Sequence, residues 1–398
     1  MKRLLPATLL LLSSALLLAP VAQASDGVDA RITRVENGLL PANVAPGTPL
    51  QGMRLGERMA ALKVPGVGIA VINHGAIEWA RGYGMADVAT GRPVTTHTRF
   101  QAGSISKPVT AMAALTLVQS GTLSLDRNVN DYLTSWKLPD NDFTAARKVS
   151  LRALLSHTAG IGVHGYQGYA AGSALPDLLA VLDGAPPANS AAVRVEALPG
   201  SAWQYSGGGY EIVQQMLADT THQHLAQFAQ HAVLDKIGMR ESRFVLPAEL
   251  ETSAAHAYLA DGSPVPGGWH RYPETAAAGL WTTPSDVALF AIEIQRTLAG
   301  KSNKVLSQAL TREMLTPGIE PFGLGLFLGE AGELRPSFRH SGGNQGFRNM
   351  MFAYDATGQG AVVMTNSDNG GALVEEILRA IAREYGWTNY TVGAQAAK

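Results

Sequence analysis

Apolar positions along the chain change period twice. Residues 28–40 and 53–62 carry them at helical spacing, with a Pro/Gly-rich break at 41–47. Two β-branched runs follow, 67–72 and 77–83, joined through His74-Gly75, and this pattern predicts a hairpin that opens a sheet. From Ser104 to Gln119 the spacing of Val109, Met112, Ala113, Leu115 and Leu117 predicts a mostly buried helix that stops before Gly121.

Beyond residue 150 the helical period dominates. Segments 151–156, 175–182, 210–220, 225–234 and 284–298 read as helices separated by Gly/Pro loops. The period then returns to two in 323–328, 337–340, 347–354 and 361–365, followed by a helix over 373–385. Strands at both ends with helices between them imply one shared sheet and an insertion. The expected fold class is α/β (α+β), an antiparallel sheet flanked by helices plus an inserted mainly helical domain. Its expected units are a discontinuous sheet domain at 25–103 and 299–398 and a mainly helical domain at 104–298. A cleft forms where the two meet.

Residues 1–24 change the picture of where the protein works. Lys2 and Arg3 precede an apolar run that closes on Ala22-Gln23-Ala24, the pattern of an export signal cut after Ala24. An uncleaved single-span anchor is the alternative, the run being close to the ~20 residues that a bilayer needs. Pro6, Pro20 and the small-residue ending favour cleavage, so a periplasmic or secreted protein without an integral membrane span is expected. The chain has no cysteine, which excludes a disulfide framework, a Cys-based zinc site and a thiol nucleophile. Its 31 basic and 32 acidic residues leave no general attraction for nucleic acid or anionic membranes.

Candidate chemistry begins at Ser104, three residues before Lys107, a spacing that places both side chains on one helix face. A serine hydroxyl attacks only when a base takes its proton, and a lysine in a suitable setting can do so. The bare pattern also fits a capping serine beside a solvated lysine. Tyr205 sits in a Gly-rich turn just before a helix, as a proton relay or as a ring packed under a loop. His340, Ser341, Gly342 and Gly343 lie between two strands, where small residues admit substrate to the sheet edge and the Gly343 N–H is a candidate oxyanion donor.

These three elements, in this order, resemble the serine hydrolases that include class C β-lactamases, serine D-Ala-D-Ala carboxypeptidases and related esterases. The likeness rests on Ser104-x-x-Lys107, on Tyr205 as the tyrosine of a Tyr-x-Asn element, and on His340-Ser341-Gly342 as a Lys/His-Thr/Ser-Gly element. The phrases at 154–160 and 279–286 add to it, and it spans roughly residues 66–366. The resemblance implies a β-lactamase/transpeptidase-like fold and a serine acyl-enzyme. Ser104 would attack, Lys107 and Tyr205 would move the proton, and the N–H groups of Ser104 and Gly343 would hold the oxyanion. It implies no cofactor and a small-molecule or peptidoglycan-like acyl substrate, and leaves oligomeric state open.

Two departures bear on substrate. Gly207 stands where the family often has asparagine, so an amide contact is missing. His340 replaces the usual lysine of β-lactamases with a weaker, pH-dependent charge. An ester or broad acyl hydrolase is therefore ranked ahead of a dedicated β-lactamase or carboxypeptidase. A non-catalytic penicillin-binding sensor or cell-wall scaffold is the alternative of another class.

Other signals are set aside. Ser367-Asp368-Asn369 falls too late to be a catalytic motif and reads as a turn, while His157 reads as a loop-orienting residue and His222, His224, His231 and Asp219 as a solvated face. Trp203, Trp269, Trp281, Tyr166 and Tyr169 are candidates for an acyl pocket.

Overall fold

The computed structural model describes residues 27–41, 51–329, 336–387 and 390. The export signal expected at 1–24 lies outside the described residues. Among those described, no helix is long and apolar enough to cross a membrane.

Helices α1 (Val28–Glu36) and α2 (Leu55–Ala61) lead into the hairpin of β1 (Gly66–Asn73) and β2 (Ala76–Asp87). His74 and Gly75 both take positive φ, +53° and +70°, which matches the right-handed strand twist in a two-residue turn. Short strands β3 (Arg92–Pro93) and β4 (Phe100–Gln101) precede α3 (Ser106–Gln119). After several short helices come α4 (Gly207–Thr221), the one-turn α5 (Thr275–Ala278), β5 (Trp281–Thr282) and α6 (Pro284–Leu298). The chain closes with β6 (Phe327–Leu328), β7 (Ser337–Asn344), β8 (Phe347–Tyr354), β9 (Gly360–Thr365) and α7 (Gly370–Glu384).

Seven strands form one antiparallel sheet in the order β3-β2-β1-β9-β8-β7-β6, so the first hairpin and the last strands do share it. The fold class expected from the sequence is the one observed. β1 and β9 are central and buried on both faces. Val67, Ile69 and Val71 join Ala361 and Val363 in a core beneath α1, α2 and α7, while Ala70 and Ile72 join Val362 and Met364 in the larger core on the opposite face. α7 supplies Leu373, Val374, Ile377, Leu378 and Ile381 at helical spacing, so one apolar stripe covers the sheet.

α6 begins where its sequence signals it should: Thr283 caps the Asp286 N–H and Pro284 occupies the first turn. It packs on β1 and β9. The sequence grouped this helix with the inserted helical region; its place is on the sheet. A Cβ at Gly68 would lie 2.8 Å from Pro284 Cγ, so the missing side chain lets the helix approach.

Three boundaries differ from the sequence pattern. The expected helix at 104 begins as a 3-10 turn, Gly103–Ile105, and becomes α-helical at Ser106. The expected strand over 323–328 is two residues long, because Gly325 at φ +93° turns the chain and donates its N–H to the Leu155 carbonyl. β7 runs on through Gly342 and Gly343 to Asn344, and β6 pairs only with its first half, which leaves an open edge at Ser341–Asn344.

That open edge meets the Gly103–Ile105 turn. Gly103 is left-handed at φ +56°, and a Cβ on it would lie 2.6 Å from Gly343 N. A Cβ on Gly342 would run into the Ala102 carbonyl, whereas one on Gly343 would meet only ordinary contacts. Urea unfolding is therefore expected to show Gly342→Ala destabilised by about 3 kcal/mol and Gly343→Ala by no more than about 1 kcal/mol. Equal effects would contradict the close approach of strand and turn.

Candidate active site

Polar residues on an otherwise apolar helix build the centre. Ser106 Oγ donates to the Gly103 carbonyl at 2.6 Å and accepts from Leu280 N at 3.0 Å, which locks the turn against the chain leading into β5. Thr110 Oγ1 donates to Ala276 O at 3.1 Å. Between them Lys107, only 2% exposed, donates to Ser104 Oγ at 3.1 Å and to Ala277 O at 3.0 Å. Its ammonium lies 5.0 Å from the centroid of the Tyr205 ring and 5.7 Å from that of Tyr210. A buried amine needs acceptors and π-faces of this kind.

Tyr205 is placed by its neighbours. Gln204 N donates to the His157 carbonyl at 2.7 Å and Ser206 N to His157 Nδ1 at 3.1 Å, so both sides of Tyr205 hang from one residue. His157 has φ +59° and is 2% exposed. Its role as a loop-orienting residue is visible directly. Ser206 then caps α4 by accepting from Gly209 N and ties down the loop through Gly162 O. The rings of His157, Trp203, Phe327 and His340 surround the phenol.

Both histidines are uncharged at neutral pH. Burial, reinforced by the Lys107 cation, holds His157 well below the usual histidine range and brings His340 down to about 3. The pH-dependent charge expected of His340 from sequence is thus absent: the residue is 1% exposed and its Nδ1 lies 2.6 Å from Ser341 O. Since Nδ1 there is the donor and His157 Nδ1 is an acceptor, Nε2 of His340 is an acceptor and Nε2 of His157 a donor. Neither Nε2 has a hydrogen-bond partner among the described residues.

Ser104, Lys107, Tyr205 and His340 therefore converge, and Gly343 lies against Gly103 beside them. Ser341 and Gly343, like Arg339, are exposed positions of β7, and Gly342 is buried. A cavity of about 410 Å³ is lined by Gln101 and Ala278, the two residues that Asn344 joins, and by Trp269, Tyr272 and Trp281; Ser104, Lys107, Tyr205 and His340 do not line it. Leu175 and Val245, 41% and 61% exposed, also line it. Of the aromatic candidates, Trp269 and Trp281 are in this cavity and Trp203 stands by Tyr205. Tyr166 and Tyr169 do not line it.

A sequence model of the family described as Beta-lactamase matches residues 54–385. The chain belongs to the beta-lactamase family. Esterase EstB of Burkholderia gladioli is 30% identical over 287 residues, 64% of this chain and 71% of that protein. Penicillin-binding protein 4 of Amycolatopsis lactamdurans is 27% identical over 349 residues, 82% of this chain and 88% of that one. The solved octameric penicillin-binding protein homologue from Pyrococcus abyssi superposes with a TM-score of 0.70 at 25% identity, covering 83% of this chain and 76% of that chain. This beta-lactamase-family chain is a serine hydrolase.

Sequence reasoning missed Ser106, Thr110, Gln101 and Asn344. Asn344 Nδ2 donates to Gln101 Oε1 at 2.8 Å and to Ala278 O at 3.1 Å, bracing the strand edge against α5. The available signal was the run of Ser106, Lys107 and Thr110 interrupting an apolar helix.

The buried neutral His340 has a consequence for stability. An unfolded histidine takes up a proton near pH 6.5 and the folded one only near 3, so stability is complete above 6.5 and falls as the medium is acidified. This group contributes about 1.4 kcal/mol per pH unit to that slope. Urea titrations of His340→Gln are expected to show a slope reduced by this amount between pH 6.5 and 4, the residual slope being that of His157 set against the opposite slope of the raised carboxyls Glu211 and Glu274. An unchanged slope would contradict a buried, neutral His340.

Proposed function

We propose that the protein is an exported serine esterase, or broad acyl hydrolase, that forms its acyl-enzyme on Ser104. The observation that carries this reading is the buried Lys107 amine, bound to Ser104 Oγ at 3.1 Å and to Ala277 O at 3.0 Å beneath the Tyr205 ring. In this reading Ser104 Oγ attacks the ester carbonyl carbon while its proton passes to the unprotonated member of the Lys107–Tyr205 pair. That proton then goes to the departing alcohol, and water repeats the sequence to release the acid. The backbone N–H groups of Ser104 and Gly343 are the oxyanion donors.

Three features support esters over β-lactams or D-Ala peptides. Gly207 offers no side-chain amide, and a Cβ there would lie 3.0 Å from the Tyr166 ring, so that ring occupies ground an asparagine would need. His340 presents a neutral acceptor where a cation would grip a substrate carboxylate. EstB, named an esterase, is 30% identical over 71% of its length. The cavity beside Gln101 and Ala278, with its two tryptophans and apolar rim, suits an apolar acyl group. The apolar leader supports a periplasmic or secreted location.

Purified protein should label with a fluorophosphonate, and Ser104→Ala should lose labelling and at least about 10³-fold in ester kcat. Across p-nitrophenyl esters, nitrocefin and a D-Ala-D-Ala peptide, turnover is expected to be fastest with the esters. Fast nitrocefin hydrolysis or D-Ala release with inert esters would move the protein to the β-lactamase or carboxypeptidase reading. No labelling by fluorophosphonate or fluorescent penicillin would leave a non-catalytic sensor. Filling the inner end of the cavity with Ala278→Tyr should lower kcat/KM for bulky acyl esters about tenfold or more relative to acetyl esters. An unaltered chain-length preference would place the acyl group elsewhere.

A further inference from the structure

Behind Lys107, on the side away from Ser104, two carboxyl groups are buried without solvent contact. Glu211 on α4 and Glu274 at the N-terminus of α5 are both 0% exposed. Glu211 Oε1 accepts the Ala277 N–H at 3.0 Å, and Gln214, one turn on, accepts the Ala276 N–H at 2.7 Å. Two α4 side chains thus cap the one-turn helix whose Ala277 carbonyl receives Lys107. Glu211 Oε2, both Glu274 oxygens and the Tyr166 hydroxyl are buried and have no hydrogen-bond partner among the described residues.

Resting on the assignment of Lys107 above, we infer that Glu211 is a positioning residue for the amine, acting through Ala277 as a neutral acid beside the buried Glu274. Two carboxylates cannot both stay ionised in so dry a site. The titratable groups facing Glu211 are Glu274 from α5, Lys107 from α3 and Tyr166 from the loop before α4, and Tyr169 faces Glu274. Burial first, and the mutual repulsion second, raise Glu211 well above the carboxylate range, while burial brings Glu274 to about 7. Glu211 therefore meets Ala277 as a neutral acid. A carboxylate there would form an ion pair with Lys107 and favour the ammonium, the form that cannot take the proton of Ser104.

Fluorophosphonate labelling of Ser104 followed against pH tests this without knowledge of the natural substrate. Glu211→Gln keeps the acceptor and stays neutral, so its rate should remain within about threefold of wild type with the acid limb in place. Glu211→Leu removes the acceptor at similar volume, so its rate should fall about tenfold or more, a loss that the glutamine variant does not share. A leucine variant that labels like wild type overturns the inference, as does a glutamine variant as slow as the leucine one. If the leucine variant fails to fold, infrared spectroscopy decides: a protonated-carboxyl band at pH 7 in wild type that weakens in Glu211→Gln to the part owed to Glu274 supports a neutral Glu211, and a band unchanged by the substitution refutes it. Wild-type protein that takes no label at Ser104 sinks the nucleophile reading, and this inference with it.

Discussion

The buried amine of Lys107 sets the terms for everything around it. A cation removed from water costs several kcal/mol unless its protons are taken up by the protein. Here they are received by the Ser104 hydroxyl and the Ala277 carbonyl, with the Tyr205 and Tyr210 rings alongside. The one-turn helix α5 aims that carbonyl, α4 caps the helix through Glu211 and Gln214, and Ser106 and Thr110 fasten it to α3. Remove the amine and this arrangement of short elements loses its common purpose.

Precision in the cleft comes from backbone approaching backbone. Gly103 and Gly342 let the Ser104 turn and β7 approach more closely than any side chain would permit. Asn344 and Asn349 then tie β7 and β8 to Gln101 just upstream of the turn. Because β1 and β9 are packed on both faces, the sheet that carries this edge has little freedom to shift. The candidate reactive groups stand on rigid supports.

Charge in the cleft is sparse. His157 and His340 are neutral, and the acid pair behind Lys107 is held back by its own burial. Around the candidate nucleophile stand an amine and a phenol, with two neutral imidazoles buried beside them. A family fold shared by esterases and penicillin-binding proteins is compatible with either substrate class, so the proposed preference for esters rests on Gly207, His340 and the cavity.

By itself the sequence determined the sheet and its two halves, because a strand buried on both faces writes a β-branched run that no local competitor mimics. It also singled out Ser104, Lys107 and Tyr205 through three motifs in family order, each of which alone left a structural reading open, and placed a helix over 284–298. What it could not decide were contacts between segments far apart in the chain. The roles of Ser106, Thr110 and Asn344 depend on backbone groups 66 to 174 residues away, an N–H for Ser106 and carbonyls for the other two, which no local pattern encodes. His340 looked like a titrating cation because charge state is set by burial, and burial by the packing of β6, β7 and the Tyr205 loop around it. Local pattern specifies which atoms are available; only the folded chain fixes their distance from water and from one another, and those distances set the proton affinities of the site.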